Sequence, residues 1–111
     1  MQRIDAFIQP HRLKHVVLAL HEMPTFPGFT ITDAHGQGRG KGQGGHFIYD
    51  ADEGLVFHKR RILSVVCEDK EAEAIAALIV KAAHTGRAGD GLITITPLAS
   101  VIRIRDVKAF S

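Results

Sequence analysis

Apolar residues alternate with mostly polar ones over residues 3–9, which predicts a first β-strand. A helix is predicted to run from Pro10, whose fixed φ suits a first helical turn, to about Met23. Its apolar residues recur at the spacing of one helix face and are Leu13, Val16, Val17 and Leu20. Residues 29–34 are rich in β-branched side chains and predict a second strand.

The second half of the chain predicts two further strands and a second helix. Residues 61–67 predict a third strand, and Asp69 is the predicted N-cap of a second helix that ends before Gly86. Residues 92–96 predict a fourth strand, and residues 101–105 a short extended segment. The order β-α-β-β-α-β predicts an α+β ferredoxin-like sandwich, with an antiparallel four-stranded sheet that carries its helices on one face.

The other face of this sheet also needs a cover. We expect that two helices cannot bury all of the apolar strand residues Ile4, Ile8, Ile31, Val65, Ile93 and Ile95. Burial of the second face against other copies of the chain solves this problem, so a closed homo-oligomer is predicted.

A long segment between the second and third strands, residues 36–58, shows no clear helical or strand period. Residues 35–45 read HGQGRGKGQGG and contain six glycines. Loops of this length are uncommon in compact domains and are usually functional. We expect residues 37–57 to be poorly ordered without a ligand or partner; the alternative is a flexible hairpin tip with no role.

The composition narrows the class of protein. The 111 residues predict one domain over residues 1–111, with 45% apolar and 23% charged residues. One cysteine, Cys67, excludes an intrachain disulfide, and no apolar run approaches a membrane span. A net charge of +2 and the absence of tryptophan predict no nucleic-acid partner. A cytoplasmic protein with no direct membrane insertion is the expectation.

Three short motifs have the composition of an anion site. Residues 36–41 read GQGRGK, where glycines allow close backbone approach to a phosphate and Arg39 and Lys41 add charge. Residues 85–91 read TGRAGDG, which an ordinary helix cap and an Asp-Gly turn also explain. Arg103 and Arg105 point the same way in an extended chain and form a two-pronged anion site, or else a solvated strand face.

Together these motifs are similar to those of the PII signal-transduction proteins (nitrogen regulatory protein P-II), and the resemblance runs nearly end to end. Gly36-x-Gly38-Arg39 resembles the root of the family's long T-loop, TGRAGDG its TG-x-x-GDG motif, and VIRIR its C-terminal signature. The resemblance implies a cytosolic homotrimer that is a regulator and not an enzyme. It also implies ATP or ADP in the clefts between subunits, and a T-loop at about residues 36–58 that docks on a partner such as a membrane transporter or a metabolic enzyme.

The resemblance also implies the residues of the nucleotide site. By position they are Gly28, Phe29, Thr30, Gly36, Gln37, Gly38, Arg39, Val65, Gly89, Asp90 and Gly91, with Arg103 and Arg105 reaching in from the adjacent subunit. Lys41 and Lys59 are further candidates for anion contacts.

Several positions depart from the family pattern. Gly40 stands where a glutamine usually helps to hold Mg²⁺ and 2-oxoglutarate, and Leu92 stands where a lysine usually contacts phosphate. Asp52 aligns with the tyrosine that some members have uridylylated. These departures imply a divergent member that does not sense 2-oxoglutarate in the classical way.

A second hypothesis is a metal-responsive trimer. The long loop has His35, His46 and His58 in or beside it, and His11 and His15 are spaced i, i+4 on the first helix. Scattered surface histidines are the alternative. A third hypothesis, a cysteine-dependent enzyme, is disfavoured because Cys67 ends an apolar strand and no activating partner is identifiable.

Overall fold

The structure is a computed structural model that describes residues 1–37, 49–50, 54–55 and 57–106. Its strands are β1 (Gln2–Ile8), β2 (Thr30–Gly36), β3 (Tyr49–Asp50), β4 (Gly54–Leu55), β5 (His58–Cys67) and β6 (Gly91–Pro97). Its helices are a 3₁₀ turn (Pro10–Arg12), α1 (Leu13–His21) and α2 (Asp69–Ala83).

Four strands form one sheet in the order β2-β5-β1-β6, and every neighbouring pair is antiparallel. Both helices pack on the same face, where the core residues include Ile4 and Val65 from the sheet, Val16 from α1 and Ile75 from α2. The predicted ferredoxin-like arrangement is therefore confirmed. Among the residues that the structure describes, no helix is long and apolar enough to cross a membrane.

The register of the sheet corrects the argument made for its second face. Directly opposite residues share a face of a sheet, and Ile4 lies opposite both Val65 and Ile95. By the same register Ile8, Ile31 and Ile93 lie on this face of the sheet, which is the face that the helices cover. All six residues therefore lie on the covered side. Ile31 and Ile95 remain 36% and 46% exposed because they lie on the edge strands, at the margin of the helices.

The opposite side, here called the groove face, is mixed in character. Asp5 and Ser64 lie on it and are joined by a hydrogen bond of 2.6 Å from the Ser64 hydroxyl. Threonines of β2 and β6 flank them, and Phe7 and Ile62 form a half-buried apolar pair at one end. The case for an oligomer therefore depends on this mixed surface and not on the six apolar residues that the helices cover.

Local differences from the sequence-based boundaries have simple causes. α2 begins at Asp69 with Glu68 as its N-cap residue and without a side-chain capping bond, so Asp69 acts through its charge in the first turn. Strand pairing extends β2 to Gly36 and starts β5 at His58, beyond the predicted ends, because His58 pairs with Gly36. The short pair β3–β4 lies within the segment for which no strand was predicted.

Candidate functional site

A groove of about 580 Å³ opens on the groove face, within the size range of small-molecule sites. One wall is the segment that leads into β2, including Gly28, Phe29 and Thr30, and the floor is formed by Ser64 and Val66 of β5. The other wall is residues 101–105, so Arg103 and Arg105 line this groove in their own chain. We call it the arginine groove.

Residues 101–105, predicted as a short extended segment, form no strand and end in a turn. The chain turns at Ile104 and Arg105, and the Asp106 amide donates to the Arg103 carbonyl at 2.9 Å. Both arginine side chains are exposed, and Ile104 between them is 93% exposed. The two guanidinium groups therefore reach solvent from a turn. The alternation of side chains along a strand thus gives no reason for them to point the same way.

A second candidate region is the 85–91 loop, which connects α2 to β6. Asp90 organises it, because its carboxylate accepts hydrogen bonds from the Thr85 hydroxyl, from the Thr85 amide at 2.9 Å and from the Gly86 amide at 3.0 Å. These bonds, chiefly that of the Thr85 hydroxyl, hold the pKa of Asp90 below its ordinary value. The Asp90 carboxylate thus shapes the loop from within.

Glycine is favoured at three positions of this loop. Gly86, Gly89 and Gly91 have φ of 81°, 86° and 102°, a region that side-chain-bearing residues rarely adopt. A Cβ on Gly91 would lie 1.7 Å from the Phe7 carbonyl oxygen, so this glycine is needed for β6 to pair with β1. The GDG sequence therefore has a structural reason as well as the proposed binding role.

Two residues that the sequence reasoning missed hold the loop against the sheet. The Gly89 carbonyl accepts a hydrogen bond of 2.8 Å from Gln9 Nε2 and one of 3.3 Å from Arg60 Nη2. The basic run of residues 59–61 was a possible signal for Arg60. Nothing in the local sequence pairs Gln9 with a residue 80 positions away.

The other predicted site residues lie at the end of β2, on β5 or outside the described residues. Gly36 ends β2 beside His58, Gln37 follows it, and Lys59 is exposed on β5. Val65 is fully buried in the core, so only its backbone is able to face a ligand. Gly38, Arg39, Gly40, Lys41, His46 and Asp52 lie outside the described residues.

The two candidate regions lie at different ends of the sheet. Gly91 begins β6 opposite Ile8, which lies opposite Arg61 near the start of β5. Val66 of the arginine groove lies near the end of β5. Gly36 and the 85–91 loop therefore share one end, and the arginine groove is displaced toward the other.

The metal hypothesis is not supported by the histidines that the structure describes. His35 lies opposite Lys59, so these two residues share one face of the sheet. His58 is the neighbour of Lys59 along β5, so its imidazole starts from the other face. His11 lies in the 3₁₀ turn and His15 in α1, so one regular helix does not connect them. Within the described ranges no three His, Cys, Asp or Glu residues are grouped as a metal site.

Cys67 is buried and free, and burial raises the pKa of its thiol. A raised pKa lowers the fraction of reactive thiolate. The described environment therefore gives Cys67 the character of a core residue.

Comparison with known proteins assigns the family. The model of the family Nitrogen regulatory protein P-II matches residues 1–108. The chain is 41% identical over 110 residues to the Nitrogen regulatory protein P-II of Azospirillum brasilense and 39% identical over 110 residues to that of Rhizobium meliloti (strain 1021). Each of these alignments covers 95% of this chain and 92% of the relative.

The fold and these matches define a signal-transduction protein built on a ferredoxin-like sandwich. The chain belongs to the nitrogen regulatory protein P-II family. Proteins of this family are regulatory rather than catalytic, they form trimers, and they bind adenine nucleotides.

Proposed function

We propose that this protein is a cytoplasmic homotrimer that senses ATP or ADP in clefts between subunits. The observation that carries the proposal is the division of the candidate site into two regions at different ends of one sheet. The two regions would therefore contact one small ligand from two neighbouring chains. In a closed trimer, the arginine groove of one subunit would meet the 85–91 loop and Gly36 of its neighbour.

The two regions supply different chemistry to such a cleft. The 85–91 loop and Gly36 offer backbone amides at positions where glycine allows close approach of a phosphate. The arginine groove offers Arg103 and Arg105, which form charge-assisted bonds to phosphate oxygens. The apolar part of the nucleotide would lie against groove residues such as Phe29 and Val66.

Calorimetric titration with ATP and with ADP tests the nucleotide proposal, and light scattering at micromolar concentration tests the trimer. We expect saturable binding of both nucleotides with a stoichiometry near one per chain, and the mass of three chains. Absence of heat and of competition with a fluorescent ATP analogue would refute nucleotide sensing, and a monomer mass would refute the composite cleft.

Regulation of a partner through the T-loop, residues 36–58, is the second part of the proposal. The partner class is a membrane transporter or a metabolic enzyme. A variant without residues 42–52 should bind nucleotide but lose partner binding in affinity purification from the source cells. Retention of the same partner by this variant would place the docking surface elsewhere.

We further propose that 2-oxoglutarate is not the signal. Gly40 has no side-chain oxygen with which to complete an octahedral Mg²⁺ site. Titration of 2-oxoglutarate in the presence of Mg-ATP should therefore give no Mg-dependent heat at micromolar concentration. Gly40→Gln is the matched variant, and a gain of binding in it alone would support this reason. A micromolar, Mg-dependent isotherm in the unaltered protein would contradict it.

A further inference from the structure

Arg60 contacts the 85–91 loop through Gly89 and is not one of the predicted site residues. We propose that Arg60 is a phosphate-binding residue of the nucleotide cleft and supplies there the cation that Leu92 cannot supply. This inference depends on the proposed nucleotide function and adds a specific residue to it.

Arg60 has donor capacity beyond its bonds within the chain. Its Nη1 donates to the Lys59 carbonyl at 2.9 Å, and its Nη2 donates to the Gly89 carbonyl at 3.3 Å. A guanidinium has five N–H donors, so these two bonds leave three directions for other acceptors. The contact with Gly89 also holds the guanidinium beside the 85–91 loop.

The bond to Gly89 does not by itself explain a charged residue here. Gln9 Nε2 already satisfies the Gly89 carbonyl at 2.8 Å, a shorter distance than that of Arg60. The neighbouring Arg61 is neutralised by Asp33 at 2.9 Å, whereas Arg60 has no carboxylate within ion-pair distance among the described residues. A guanidinium that is held in place and has no carboxylate partner in the described part of the chain is suited to an anionic ligand.

The sheet register places Arg60 on the side of the proposed cleft. Ser64 and Val66 line the arginine groove, and Arg60 lies on the same face of β5 because side chains alternate along a strand. Lys59 and Arg61 start from the helix face. Arg60 is therefore the basic residue of this run that borders both the groove face and the 85–91 loop.

Leu92 belongs to the same face, because it lies opposite Phe7, which lies opposite Ile62. Its side chain is 60% exposed and offers no charge. Leu92, where the loop joins β6, is therefore uncharged, whereas Arg60 of β5 is charged and contacts the loop at Gly89. For this reason the phosphate contact is assigned to Arg60.

The test compares ATP, ADP and adenosine binding in Arg60→Gln with that in the unaltered protein. Glutamine keeps a donor for the Gly89 carbonyl and removes the charge. We expect a loss of about tenfold or more in ATP affinity, the size of one charge-assisted bond. The affinity for adenosine, which has no phosphate, should change less than twofold and also reports that the cleft is intact.

Gln9→Ala is the matched control, because it removes the other donor to Gly89 without a change in charge. It should weaken ATP binding much less than Arg60→Gln does. Leu92→Lys should then restore ATP affinity to Arg60→Gln, and should improve it less in the unaltered protein, because one cation is already present there.

Each adverse outcome is distinguishable. ATP affinity within twofold of the unaltered protein in Arg60→Gln would overturn the role of Arg60 and leave the nucleotide proposal standing. Equal losses in Gln9→Ala and Arg60→Gln would assign the effect to loop position, which also overturns it. No ATP binding by the unaltered protein would overturn both proposals.

Discussion

The 85–91 loop and the arginine groove differ in how their residues are held. In the loop, Asp90 binds Thr85 and Gly86, and Gly89 is tied to the sheet by Gln9 and Arg60. In the groove, Arg103 and Arg105 are exposed at a turn in which the Asp106 amide donates to the Arg103 carbonyl. The loop is thus held by several hydrogen bonds within the chain, whereas the arginine side chains of the groove extend into solvent.

This difference predicts that substitutions in the two regions have different effects on nucleotide affinity and on the stability of the fold. Preorganised backbone groups contribute to affinity because little ordering remains to be done when the ligand binds. Exposed arginines contribute through charge-assisted bonds that exist only in the complex. Substitutions in the groove should therefore alter affinity without unfolding the protein, and substitutions in the loop should alter both.

The largest effect is expected for Arg103→Ala combined with Arg105→Ala. Two charge-assisted bonds of about 1.5–3 kcal/mol each are lost, so ATP affinity should fall by about a hundredfold or more. The midpoint of thermal unfolding should not change, because both side chains are exposed. Calorimetry and thermal denaturation measure the two quantities.

The matched control is Lys14→Ala combined with Lys81→Ala, which removes the same net charge from exposed positions on the two helices. ATP affinity close to that of the unaltered protein is expected in it. An equal loss in both double variants would show that overall charge, and not the groove, governs binding.

The next effect in size is a loss of stability in Gly91→Ala. The new Cβ would overlap the Phe7 carbonyl and would occupy a positive-φ position. We expect a loss of about 2–4 kcal/mol in the free energy of unfolding. Urea denaturation at fixed protein concentration measures it, because assembly makes the apparent stability depend on concentration.

Gly36→Ala is the control for this prediction, since an added Cβ there meets no atom within 4 Å in the part of the chain that the structure describes, and φ lies outside the positive range. Its unfolding free energy should change by less than about 1 kcal/mol. If Gly91→Ala were no less stable than Gly36→Ala, β6 would tolerate a different register at its start, and the loop would be less fixed than described.

The sequence was sufficient for the fold because both helices and the four main strands have strong local periods, as the apolar spacing in α1 and α2 illustrates. It was not sufficient for the faces of the sheet. Ile31 and Ile95 are exposed because they lie on edge strands, and strand order is a property of the whole topology. Apolar composition alone therefore did not show that both residues lie on the side of the sheet that the helices cover.

The site shows the same division. TGRAGDG and the paired arginines are local motifs, so the sequence was sufficient to propose them as parts of the candidate site. The contacts of Gln9 and Arg60 with Gly89 join residues far apart in the chain, and only the assembled sheet brings them together. Likewise, the alternation that buries Val65 and exposes Val66 depends on which face the helices cover.

The smallest effect is a pH-dependent opening of the 85–91 loop. Hydrogen bonds, chiefly from the Thr85 hydroxyl, keep the pKa of Asp90 below its ordinary value in the folded protein. The ionised carboxylate therefore stabilises the closed loop fully above the unfolded-state pKa of about 4. This contribution is lost as the pH falls through the lower folded-state pKa.

The amide resonances of Thr85 and Gly86 should titrate with a midpoint below about pH 4, while those of Gly28 and Thr30 in the arginine groove should not follow this transition. In Asp90→Asn the transition at Thr85 and Gly86 should disappear, because no carboxylate remains to be protonated. A midpoint at or above the ordinary value, or the same transition in Asp90→Asn, would show that Asp90 does not hold the loop closed and would remove the contrast between the two regions.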